Sequence, residues 1–161
     1  MIEVTRETTA PPQDVWDVLS DGWLYSMWVV GASRIREVEA AWPAVGSRIH
    51  HSAGVWPLVV DDTSVVLELE HERRLVLQAR GWPFGEARVE LHLRPLPGGG
   101  THVRISEDAS VGPGRWVPEP LRRAALVPRN RESLWRLAIL AEGRAGAHVR
   151  GQGEREPSPD S

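Results

Sequence analysis

A chain of 161 residues, 41% hydrophobic and 25% charged, is expected to form one globular domain with a sizeable core, and no apolar run approaches the ~20 residues of a membrane-spanning helix. The net charge of −3, with all 19 basic residues arginine and no basic run free of compensating acids, argues against general attraction to phosphate backbones. No nucleic-acid partner and no membrane insertion are therefore expected, and the absence of cysteine rules out disulfides, thiolate chemistry and Cys-based zinc sites and suits a reducing cytoplasm.

"IEVTRETT" alternates as a half-buried strand, without the basic start and apolar core of a signal peptide, so export is not expected and the location is read as cytoplasmic. "APPQDVWDVLSD" reads as a helix opened by prolines, and "GWLYSMWVVGA" as a short second helix carrying Trp23, Leu24, Met27 and Trp28, with Gly31 as its stop. Strands are predicted at about 33–40, 46–55, 61–71, 74–82, 85–94 and 101–109, joined by short turn segments. Such short joins require an antiparallel meander. "PGGGT" sits between two alternating strands with no helix after it, so it reads as a hairpin rather than a phosphate-binding loop. One long helix is predicted over 119–143, with Leu126, Asn130, Leu134, Leu137 and Ala141 on one face and Pro128 kinking or breaking it. Residues 144–161 read as a disordered polar tail beyond a 1–143 domain.

This is an α+β layout in which a curved seven-stranded antiparallel sheet wraps around a long terminal helix. The stretches "VWDVLSD", "MWVVGASRIREVE", "WPAVGSRIHHSAGVWP", "GTHVRISED" and "PRNRESLWRL" carry a closer likeness. Over residues 1 to about 143 the chain resembles the START-like (SRPBCC) superfamily with its helix-grip fold, in particular the small bacterial polyketide-cyclase and dehydrase-like branch. The resemblance implies an apolar cavity between the concave sheet face and the long helix, with the short second helix at its entrance.

Strand alternation nominates the lining of such a cavity. In "GSRIHHSAGVW" Ile49, His51 and Ala53 share one face and Arg48, His50 and Ser52 the other, so the two adjacent histidines point apart and form no joint metal site. No metal and no cofactor are expected. Neighbouring strands continue the inward set with Val65, Leu67 and Leu69, then Leu75, Leu77 and Ala79, then Val89, Leu91 and Leu93, then Val103, Ile105 and Glu107. The expected ligand contacts are Leu24, Trp28, His51, Leu67, Leu77, Trp82, Leu91, Ile105, Glu107, Leu126, Asn130 and Leu134.

Each polar candidate has a structural alternative. Glu107, ending an apolar stripe, is either salt-bridged to an arginine at the rim or a pocket acid. Asn130 either caps the helix restart after Pro128, binds a backbone carbonyl, or contacts ligand, and His51 is a satisfied core histidine or a site residue. Trp16, Trp42 and Trp135 read as packing residues. Trp28 and Trp82 are gates over the cavity or core. Three functions remain open at this level. One is binding of a small hydrophobic or aromatic molecule oriented by a few polar groups. Another is a cyclase or dehydratase in which His51 or Glu107 moves a proton. The third is a protein-interaction module, and a homodimer is compatible with any of them.

Overall fold

The computed structural model describes residues 1–55, 57–81 and 85–153 of the chain. Strand β1 (Ile2–Thr8) buries Ile2, Val4 and Thr8, the two-residue alternation of a strand with one wet face. Pro11 and Pro12 then open α1 (Pro12–Ser20), where a missing N–H sacrifices no helical bond, and Val15, Trp16, Val18 and Leu19 form its buried side. The predicted second helix is a 3-10 turn over Gly22–Leu24 followed by the single turn of α2 (Tyr25–Trp28). Gly22 is needed there, since a Cβ would lie 2.6 Å from Val38 Cγ1.

Six strands follow: β2 (Ala32–Val38), β3 (Arg48–Val55), β4 (Leu58–Glu70), β5 (Arg74–Gly81), β6 (Gly85–Pro95) and β7 (Thr101–Val111). Each pairs antiparallel with the next, and β1 returns beside β7 to give the order β1-β7-β6-β5-β4-β3-β2. "PGGGT" is the β6–β7 hairpin, closed by Leu96 N–H donating to Gly100 O at 2.8 Å with Gly99 at φ 91°. With the long terminal helix and the short helices after β1, this is the α+β helix-grip arrangement.

Register aligns the inward residues into rows across the strands. Val66, Leu77, Val89, Glu107 and Ile2 form one row, and Leu69, Leu75, Leu91, Ile105 and Val4 the next. The β4 members differ from the predicted set. A bulge between Val66 and Glu68 shifts the alternation, so Ser64 and Val66 are buried ahead of it and Leu69 faces inward after it. Leu67 is the extra residue of that bulge, only half-buried, and Val65 lies on the outer face with Gln78.

Helix α3 (Glu119–Gly153) covers the concave face through Leu134, Leu137, Ala138 and Ala141, packing on β1, β7, α1 and α2. It corrects two expectations. Of the kink or break expected at Pro128 the break does not occur, because Pro128 and Ala124, whose carbonyl loses its helical donor, are both exposed and water can satisfy that oxygen. The helix also continues ten residues beyond the predicted end, so residues 144–153, expected in the polar tail, are helical. Two polar contacts hold this extension: Arg144 Nη2 lies 3.4 Å from Asp21 Oδ2, and His148 Nδ1 3.0 Å from Asp14 Oδ1. Residues 154–161 of the expected tail lie outside the described residues. Trp16 is in the core and Trp42 is half-buried, its indole N–H donating to Leu19 O, but Trp135 is 44% exposed because the helix turns it away from the Leu134 face.

Candidate functional site

The concave face carries buried polar groups in two places, where β3 and β4 meet and at Glu107 on β7. Alternation along β3 places Ile49 and His51 on that face and His50 on the other, where His50 Nδ1 lies 3.3 Å from Thr63 Oγ1. The direct partners of Ile49 and His51 across the ladder are Ser64 and Asp62, which therefore share the concave face with them. A long side chain can reach a diagonal neighbour, and His51 does so: its Nε2 is 3.2 Å from Ser64 Oγ. Ser64 Oγ in turn lies 2.8 Å from the phenol oxygen of Tyr25.

The single turn of α2 positions that phenol. It plants Tyr25 over the β3–β4 pair with Trp28 beside it, the ring centroids 5.3 Å apart for Tyr25 and His51 and 5.5 Å for Tyr25 and Trp28. Tyr25, His51, Asp62 and Ser64 are all buried, at 5, 5, 4 and 0% exposure. Burial pushes the Tyr25 phenol up to about 12, so it stays protonated. Burial also pulls the His51 imidazole below its usual range, against the opposing pull of the Asp62 charge and the Ser52 carbonyl, and favours the neutral ring. Two buried atoms of the cluster, His51 Nδ1 and Asp62 Oδ2, have no hydrogen-bond partner among the described residues.

A second polar cluster joins β7 to α3. Glu107 Oε2 accepts from Arg129 Nη2 and, at 3.1 Å, from Asn130 Nδ2, while Arg129 Nε donates to Asn130 Oδ1. Glu107 thus has the arginine partner that its position on an apolar row demands. Asn130, fully buried, holds that carboxylate rather than capping a helix restart. The charges of Arg129, Glu107 and Asp62 all act on Tyr25, which links the two clusters electrostatically.

The structure gathers Trp28, Leu77, Leu91, Ile105 and Leu134 into one buried core, with Leu24 packed against its edge. Trp28 is 3% exposed and so is a core residue rather than an exposed gate. Leu126 is half-buried outside that core, Leu67 belongs to the β4 bulge, and Trp82 lies outside the described residues. Sequence reasoning missed Tyr25, Asp62 and Ser64. A β4 that begins at Leu58, rather than at about 61 as expected, pairs His51 with Asp62 and would have exposed the signal. Two cavities, of about 450 and 800 Å³, border Asp21, Trp42 and Arg144 in one case and His71, Arg73 and Arg94 in the other. Neither contains a residue of the two polar clusters. Among the described residues no His, Asp or Glu group is arranged to hold a metal ion, and no helix is long and apolar enough to cross a membrane.

The fold is similar to that of the protein of unknown function SA2116 from Staphylococcus aureus, at 11% identity and a TM-score of 0.69, covering 90% of this chain and 94% of that one. It is also similar to protein MLL2253 from Mesorhizobium loti, at 23% identity and a TM-score of 0.65, covering 88% and 96%. The di-domain ARO/CYC BexL from the BE-7585A biosynthetic pathway matches at 18% identity and a TM-score of 0.60, covering 88% of this chain and 49% of that one. No curated protein matches the sequence. Residues 1–142 match the family described as polyketide cyclase / dehydrase and lipid transport, and the chain belongs to that family.

Proposed function

We propose that this member of the polyketide cyclase / dehydrase and lipid transport family binds a small hydrophobic or aromatic molecule between the concave sheet face and α3, with His51 and its neighbours orienting it. The observation that carries this reading is the buried Tyr25–Ser64–His51–Asp62 cluster set beside the apolar rows of the concave face. Desolvating four polar side chains costs several kcal/mol unless they are hydrogen-bonded, on the order of 1 to 3 for each unpaired group, so two unpaired atoms in one such cluster fit a surface that a ligand completes. Apolar walls with a few converging polar groups are the usual composition of small-molecule sites. Native mass spectrometry of protein purified from its own host tests the reading. A retained small organic mass, lost in a His51→Ala variant, is the expected result; bare protein in every preparation, together with no response to hydrophobic fragments, would overturn it.

A cyclase or dehydratase reaction is the second reading, favoured by the buried imidazole of His51 lying beside the Tyr25 phenol, two groups able to exchange protons with a ligand. His51 is the better acid or base of the two original candidates, because Glu107 is already engaged by Arg129 and Asn130. A binder tolerates Glu107→Gln in part, whereas an enzyme relying on that carboxylate loses turnover.

A further inference from the structure

The Tyr25–Ser64–His51 chain has a direction. The Tyr25 hydroxyl is buried, and its one partner among the described residues is Ser64 Oγ at 2.8 Å, so its proton is satisfied only by donation to Ser64. Ser64 has a single proton of its own, and it goes to His51 Nε2 at 3.2 Å. A neutral imidazole that accepts at Nε2 carries its proton on Nδ1. That is the ring atom left buried and unpartnered among the described residues. At the directly paired position of β4, Asp62 accepts from Thr63 N–H at 2.8 Å with Oδ1 and keeps Oδ2 buried and unpartnered.

We propose that His51 Nδ1–H and Asp62 Oδ2 form a subsite for one hydroxyl group of the ligand, which accepts from the imidazole and donates to the carboxylate. The proposal rests on the reading that the concave face binds a small molecule. A hydroxyl has both a proton and lone pairs and completes both groups. A ketone oxygen of the same skeleton only accepts: it satisfies His51 and sets its lone pairs against the carboxylate. A hydrocarbon leaves both groups desolvated and unpaired, which is the arrangement by which polar sites reject isosteres lacking the polar group. The subsite therefore selects alcohols and phenols over the matching ketone, ether or hydrocarbon.

Three probes of one skeleton test this on the full chain: 1-tetralol, 1-tetralone and tetralin, titrated while ¹⁵N-labelled histidine is followed by NMR. The expected results are an Nδ1–H tautomer at His51 in the free protein and binding of the alcohol roughly tenfold or more tighter than either counterpart, the discrimination of one hydrogen bond to a charged group. Asp62→Asn supplies the decisive variant. Thr63 N–H holds the amide oxygen in the Oδ1 position, which places the amide NH₂ where Oδ2 stood, so the preference inverts toward the ketone. A gain of ketone affinity cannot come from misfolding. Equal affinity for alcohol and ketone in the native protein, an Nε2–H tautomer, or an Asp62→Asn variant that keeps its preference for the alcohol would overturn the subsite while tetralin binding left the broader reading standing. Failure of all three probes to bind would remove both.

Discussion

His51 Nε2 and Ser64 Oγ lie 3.2 Å apart across the β3–β4 ladder, whereas His50, one residue earlier, faces Thr63 on the opposite side of the sheet. Two adjacent histidines are thereby given unlike environments by the two-residue period of a strand. Substituting them should separate accordingly. His50→Ala should change stability by no more than about 1 kcal/mol, since it loses only a half-buried contact to Thr63. His51→Ala should cost about 2 kcal/mol through a lost buried hydrogen bond and lost packing on Tyr25. Urea denaturation measures both, and equal costs would refute the facing of β3.

Acid should weaken the fold through His51. Burial holds its folded pKa below the 6.5 of the unfolded chain. Well above pH 6.5 the ring is neutral in both states and contributes no slope. As the pH falls below that value the unfolded chain binds the proton first, so stability declines until the pH passes the folded value. Replacement by Gln removes this component, and the stability-against-pH curve of the variant should be flatter on the acid side than that of the native protein. Parallel curves would show that the histidine is not buried in its neutral form.

Glu107 depends on its partners. Removing Arg129, whose side chain is 38% exposed, leaves a 5% exposed carboxylate with Asn130 as its remaining donor. Arg129→Met should cost about 2 kcal/mol, less than the 3–5 typical of a fully buried broken pair because water reaches the arginine. Adding Glu107→Gln should recover part of that loss, so the double variant is more stable than the sum of the singles implies. Strict additivity in thermal melts would argue against the pair.

The last turns of α3 should also matter, modestly. A chain ending at 143 loses the Arg144–Asp21 and His148–Asp14 contacts and leaves the buried Asp14 without that neighbour. Surface pairs contribute about 0–1 kcal/mol each, so the truncated chain should melt about 2–4 °C below one ending at 153. An unchanged melt would mean that this extension carries no weight in the fold.

Much of this architecture is local and was readable in the chain. The period of two in "IEVTRETT" and "RIHHSA", the prolines opening α1 and the glycines of "PGGGT" each act over a few residues, and from them follow an antiparallel sheet, the facing of His51 and the buried Leu134 face of α3. What the chain could not reveal were relations between distant positions. Alternation cannot foresee a bulge, so Leu67 was read as inward when Val66 holds that place, and one added residue inverts every side chain ahead of it. Register decides that Asp62 faces His51, and packing of α2 on the sheet brings Tyr25 to Ser64 across 39 residues. Glu107 finds Arg129 across 22 residues for the same reason. A buried polar group accepts whatever partner the packed chain delivers, and the energy of that choice resides in the tertiary contact, which no local pattern encodes.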